Sequence, residues 1–318
     1  MTRPRIVFMF SGQGSQYFQM GRELYDGHPA FRLVLERCDA FVLRRTGVSI
    51  IKETFARARS ETFDELALSH PALVAFELAM HATLVAEGLD PDLLLGSSLG
   101  ELVCAAIAGC CSYETALHIA IEHAKNVSLH CAPGGMLAVL APPDVLQALS
   151  CGGRSVAFGG ENFPGHFTVS GARDALDRIA TEFKDRNITT VRLPVRYAFH
   201  SSAVEPARAA FMQACAPLEF SPVPGIPIVS TLSAGRAARF DPDYFWQVVR
   251  GPMRFRDTVL RLEEQGPSMF IDCGPAGTSA TFVKYNLANT SKSVQFPILS
   301  PFGSGLRNLE KVKQEFRS

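Results

Sequence analysis

Neither charge sign prevails in this chain: 31 lysines and arginines offset 31 aspartates and glutamates. The sequence has no basic run either, which argues against a nucleic-acid footprint. No stretch of about 18 uninterrupted apolar residues is present to span a bilayer. The apolar segment Ile6–Phe10 runs into a glycine loop rather than a small-residue cleavage site, so no secretory leader is expected. Eight cysteines (38, 104, 110, 111, 131, 151, 215 and 273) include no C-x-x-C pair and no His/Cys cluster spaced for a metal. Buried reduced thiols and no metal site are therefore expected. There is no internal repeat and no low-complexity tract. These absences leave a cytoplasmic α/β protein that binds neither nucleic acid nor membrane. Its 318 residues, 47% of them hydrophobic, suffice for one large domain plus a smaller one.

What is present is concentrated in residues 93–101, Leu-Leu-Leu-Gly-Ser-Ser-Leu-Gly-Glu. An apolar run ending in Gly96, then Ser98, then Gly100, fits the G-x-S-x-G elbow, in which a strand turns sharply into a helix. Such a turn is crowded, so glycine is needed two residues either side of the serine. It lifts the Ser98 hydroxyl clear of the backbone and aims the following amides at a reacting carbonyl. The strand Leu93–Leu95 before it and the small-residue helix Glu101–Ala108 after it supply the right context.

Around the elbow, Ile6–Phe10 reads as a buried strand, followed by the loop Ser11–Gln16. Helical patterns cover Phe31–Arg45 and His70–Glu87, with Pro71 suited to a first turn, and then Tyr113–Leu129. Residues 134–196 change character. Strands at Met136–Leu140, Ser155–Phe158, His166–Ser170 and Thr189–Leu193 alternate with helices at Pro143–Leu149 and Asp174–Asn187. That order is βαββαβ, the ferredoxin-like arrangement. Strand-like segments resume at Ile226–Ser230 and Ser268–Ile271. The expected architecture is a discontinuous α/β-hydrolase-like domain (1–130 and 198–318) with an inserted ferredoxin-like domain (131–197), and a ligand in the cleft between them.

A serine hydroxyl needs a base. Of the eight histidines, most fall in helical patterns. His200 sits in Tyr-Ala-Phe-His-Ser-Ser, where the chain returns to the large domain and a loop residue can face the elbow.

Four motifs, Gly12-Gln-Gly-Ser-Gln16, Gly96-Ser-Ser-Leu-Gly-Glu101, Phe199-His-Ser201 and Asp272-Cys-Gly-Pro275, follow the order and spacing of one family. Over almost its whole length the chain resembles the malonyl-CoA:acyl-carrier-protein transacylases, a family that includes the acyltransferases of polyketide synthases. The resemblance implies a ping-pong reaction. Ser98, deprotonated by His200, takes an acyl group from a thioester and passes it to a second thiol, the phosphopantetheine of an acyl carrier protein. No bound cofactor is implied. The oxyanion is expected between the backbone amides of Gln13 and Leu99, and a backbone carbonyl near Val248 is expected to orient the histidine. Asn162 matches a small-domain asparagine of the family. The chain is expected to act as a monomer.

The sequence leaves the family pattern at the acyl pocket. Ser97 replaces the histidine that precedes the nucleophile. Malonyl-type members carry an arginine about 25 residues after the nucleophile, whose planar fork grips the free carboxylate. That position is His123 here, and no arginine occurs from residue 60 to residue 153. Lys125 falls on another face of the helix; the alternatives are that a protonated His123 still binds a carboxylate or that a distant arginine such as Arg196 swings in. His70 and His166 replace two further cleft glutamines, whereas Phe199 keeps the malonyl-type residue. These six positions (70, 97, 123, 162, 166, 199) are the expected substrate-binding set.

Transfer of an uncharged or unusual acyl group, between carrier proteins or from coenzyme A, is thus the leading expectation. The alternatives are a hydrolase that strips stalled acyl chains from carrier proteins, and an ordinary malonyl transacylase with a substituted carboxylate site. Arg154, Arg173, Lys184, Arg186, Arg250, Arg254 and Lys284 are candidates for a basic rim facing an acidic carrier protein.

Overall fold

The computed structural model describes residues 3–149, 156–222 and 224–317. Six strands build the large sheet in the order β10-β9-β1-β2-β7-β8: β1 Arg5–Phe10, β2 Leu93–Gly96, β7 Ile228–Ser230, β8 Gly235–Arg236, β9 Ser268–Asp272 and β10 Val294–Pro297. All neighbours run parallel except β8. β1, β2, β7 and β9 are apolar along almost their whole length because helices cover both faces of the sheet. β2 and β9 flank β1, so the loops leaving the carboxyl ends of β1 and β2 open side by side. That is the usual ligand crevice of a parallel sheet.

The second sheet has the order β4-β5-β3-β6, from β3 Gly135–Val139, β4 Ala157–Phe163, β5 His166–Gly171 and β6 Thr190–Arg192. All its pairings are antiparallel, and the strand order is ferredoxin-like. Phe167, Val169, Leu137 and Val139 pack one face against Leu176, Ile179 and Phe183 of the helix Arg173–Asp185. The element expected at Pro143–Leu149 is a 3-10 helix, Pro143–Ala148. Cys151, Arg154 and the expected start of the second small-domain strand at Ser155 lie outside the described residues.

Pro71 does not begin its helix. The helix runs Leu66–Ala86 and carries Pro71 in its second turn. Among the described residues this is the one helix long and apolar enough to cross a membrane, but 83% of its apolar window is buried inside the fold.

The small sheet meets the segment that follows the helix Pro242–Arg250 beside the cleft. Met253 donates its amide to the Gly159 carbonyl at 2.9 Å, and Gly160 bridges Met253 where β4 changes register. Gly160 has φ 141°, and a Cβ there would fall 2.3 Å from the Met253 carbonyl oxygen. Gly160→Ala should therefore cost about 3 kcal/mol of stability. Gly165→Ala, also at positive φ but in open space, should cost only about 1 kcal/mol. Urea denaturation of both variants checks the ordering.

Candidate active site

Each motif arrives at the cleft for a local reason. After β2, the chain turns at Ser98, whose φ is 52°, into the helix Gly100–Ile107. The turn leaves no room for side chains. A Cβ on Gly100 would lie 2.2 Å from the Phe10 carbonyl oxygen, and one on Gly96 would lie 2.6 Å from Glu101 Cγ. The loop after β1 presses on the same serine, since a Cβ on Gly12 would sit 2.7 Å from Ser98 Cβ. Buried Glu77 anchors that loop by accepting from Ser11 N at 2.8 Å and Ser11 Oγ at 2.6 Å. Asp272 accepts from the amides of Gly274 (2.9 Å) and Ala280 (2.8 Å), holding the start of the helix Thr278–Asn286 against the same loop.

Ser98 Oγ lies 3.0 Å from His200 Nε2, and both residues are buried. His200 also has positive φ, 57°. Two carbonyls hold it there: its backbone amide donates to Val249 O at 2.9 Å, and Nδ1–H donates to Gly251 O at 2.8 Å. A carbonyl can only accept, so the ring proton is on Nδ1 and Nε2 is free to accept the Ser98 hydroxyl. Burial pushes the His200 pKa down to about 4, partly opposed by the Gly251 carbonyl. The pair therefore consists of a serine and a neutral imidazole at all pH values above that.

The carbonyl that orients His200 belongs to Gly251, not to Val248. Val248 is still inside the helix Pro242–Arg250, whose carbonyls run along its axis. Gly251 caps that helix in an extended conformation and its carbonyl turns to the ring. The same helix is tied to the elbow. Tyr244 OH donates to Glu101, whose other oxygen accepts from Ser230 Oγ at 2.8 Å. Burial raises the Glu101 carboxyl to about 7, against the pull of these donors.

A cavity of about 320 Å³ opens above the pair. Gln13, His70, Ser97, Asn162, His166 and Phe199 all line it, as expected from the sequence. Ser97 donates weakly to Met253 Sδ at 3.5 Å. Asn162 Nδ2 donates to His166 Nδ1 at 3.0 Å, leaving the other ring nitrogen of His166 to carry the proton. Leu99 is buried at the head of the elbow helix, where the first amides have no acceptor within the helix.

His123 is the exception among the expected binding residues, since it does not line the cavity. It sits one layer behind, with Phe199 at 5.6 Å and His70 at 5.3 Å between ring centroids, backed by Phe211 and Trp246. Neither ring nitrogen has a partner, and burial, reinforced by His70 and His200, holds its pKa well below the usual histidine range. His70 is likewise pushed down to about 3 by burial. Among the described residues, no other cation reaches the cavity. None of the cavity-lining residues is Lys, Arg, Asp or Glu. Arg196 is paired with Asp64 at 2.7 Å, and Lys125 with Glu122 at 3.7 Å. Of the basic residues weighed for a carrier-facing rim, Arg186, Arg250 and Arg254 are engaged by Glu182, Glu205 and Asp257.

Sequence reasoning missed Gly251, Met253 and the apolar residues of the small sheet that line the cavity. None of these carries a motif, although the alternation in Gly135–Leu140 is a signal for the last group.

Enzymes that transfer acyl groups on an α/β-hydrolase-like scaffold share this arrangement. The acyl transferase domain model matches residues 7–301, and the chain belongs to that family; it is an acyltransferase. It is 38% identical to the polyketide biosynthesis acyltransferase homolog PksD of Bacillus subtilis, over 98% of this chain and 97% of that protein. The acyltransferase domain from the second module of the salinomycin polyketide synthase superposes with a TM-score of 0.86 at 30% identity, covering 98% of this chain and 72% of that one. MCAT from Streptococcus pneumoniae gives a TM-score of 0.79 at 25% identity, over 96% and 100%.

The depressed His200 pKa makes a prediction about pH. A lowered histidine pKa keeps the base neutral to lower pH, so single-turnover acylation should hold its rate from pH 8 to about 5 and fall by half near pH 4. A loss centred near 6.5 would mean that the imidazole titrates as an exposed one does.

Proposed function

We propose that this protein moves uncharged acyl groups between thioesters in polyketide-type biosynthesis, through an acyl-enzyme on Ser98. The observation that carries the reading is a 3.0 Å Ser98–His200 pair beneath a cavity with no charged side chain in its wall among the described residues. His200 Nε2 takes the hydroxyl proton as Ser98 Oγ attacks the thioester carbonyl. The oxyanion is held by the backbone amides of Gln13 and Leu99. As the tetrahedral intermediate collapses, the proton passes to the leaving thiolate. Gly251 stabilises the transient imidazolium through its carbonyl dipole, so no acidic third member is required. A second phosphopantetheine thiol, on an acyl carrier protein, then reverses the sequence. The full-length similarity to a polyketide biosynthesis acyltransferase homolog supports this context.

A malonyl carboxylate in this cavity would be stripped of water with no cation to meet it, which is costly. A neutral acyl group loses nothing by the absence. One observation favours water as the acceptor instead. His70 and His166 line the cavity as imidazoles that burial disposes to neutrality, and each can hold a water. A carrier protein loaded with a butyryl chain separates the two outcomes: transfer yields a second acylated carrier, and hydrolysis yields free butyrate.

Two predictions test the site. Ser98→Ala should leave no acyl adduct by intact mass after incubation with acyl thioesters, and His200→Ala should slow adduct formation by several orders of magnitude. An adduct on the alanine variant would remove Ser98 from its role. His123→Arg, which supplies the missing charged partner, should raise the malonyl-to-butyryl acylation ratio about tenfold or more.

A further inference from the structure

The small sheet has two unlike faces. Leu137 and Val139 of β3 point into the small domain's own core. Met136, Ala138 and Leu140 therefore point the other way, and all three line the cavity above Ser98. Val191 and Leu193, in and just after β6, line it too. The antiparallel register sets Val191 beside Ala138, and the Leu193 amide donates to the Met136 carbonyl at 3.1 Å. The result is an apolar strip two strands wide, with the smallest side chain, Ala138, in the middle of its floor.

The strip has a direction. At its inner end, a Cβ on Gly134 would sit 3.2 Å from Ala198, two residues before the catalytic-site histidine. Exposure rises away from that end. Met136 is 4% exposed and Ala138 5%, whereas Leu140 is 48% and Val191 52% exposed. The four steps from Met136 to Leu140, at about 3.3 Å each, make the strip roughly 13 Å long, the reach of about ten methylenes. A two-carbon or three-carbon acyl group on Ser98 would leave most of it uncovered, with a leucine and a valine half in water at its mouth.

We propose that this strip is the seat of the acyl tail, and that the substrate class is an uncharged aliphatic acyl thioester of medium length, about eight to twelve carbons. The chain runs from the Ser98 ester past Met136 and Leu193, over Ala138, and leaves between Leu140 and Val191. The proposal rests on the reading of Ser98 as acceptor of neutral acyl groups and adds the length and path of the chain.

The test is a series of acyl-pantetheine thioesters of two, four, eight and twelve carbons, with the Ser98 adduct followed by intact mass at subsaturating concentration. Acylation should accelerate by up to about threefold per added methylene and level off near ten carbons. Leu140→Asp, at a half-exposed position that the fold tolerates, should lower the dodecanoyl-to-acetyl ratio about tenfold. Ala138→Phe, which blocks the floor, should lower the octanoyl-to-butyryl ratio by a similar factor. Neutral adducts forming at rates indifferent to length, or ratios unmoved in both variants, would overturn the tail path while leaving the reading of Ser98 intact. No adduct from any neutral thioester would overturn that reading and this proposal with it.

Discussion

The hydrogen bond from His200 Nδ1 to the Gly251 carbonyl is the interaction on which the rest of the site depends. It fixes the tautomer and leaves Nε2 facing Ser98. It also helps hold His200 in a left-handed backbone conformation that costs about 1–3 kcal/mol in isolation. Ser98 is held in the same region by the crowding of the elbow. Neither residue would keep that conformation alone, and their surroundings are coupled. The helix that ends at Gly251 carries Tyr244, and Tyr244 bonds Glu101 on the nucleophile's own helix. The carbonyl that aims the base and the turn that aims the nucleophile are thus parts of one buried network.

The proposed selectivity rests on what surrounds that pair. Charge in a buried cavity must be met by charge or by several hydrogen-bond donors. The described wall offers imidazoles, two side-chain amides, hydroxyls and apolar side chains. His123, which the resemblance sets at the family's arginine position, lies behind Phe199 and His70, held neutral by burial and out of the cavity lining. Its loss as a ligand is therefore steric as well as electrostatic: even a protonated ring there would have to displace an aromatic layer to meet a carboxylate.

Much of this was legible in the chain because the determinants are local. The G-x-S-x-G spacing dictates the elbow, continuous apolar runs dictate buried parallel strands, and the βαββαβ alternation dictates the small sheet. His200 was singled out by its place after the last small-domain strand together with the Phe199-His-Ser201 motif of the family resemblance. What could not be read depends on packing at a distance. Val248 and Gly251 are three residues apart, and only the helix's termination decides which carbonyl turns to the ring. The helix around Pro71 begins a turn early because its burial outweighs one missing backbone donor. Whether His123 faced the cavity or stood behind Phe199 depended on side-chain layering that periodicity does not encode.

A complete nucleophile–base pair here serves a cavity whose described wall has no charge to meet a carboxylate. The most direct measurement is a one-pot competition, with equimolar malonyl and butyryl thioesters offered to the unmodified protein and the mass of the Ser98 adduct read at early times. The expected result is a predominantly butyryl adduct, by about tenfold or more. A predominantly malonyl adduct would contradict it and would require a cation that reaches the cavity.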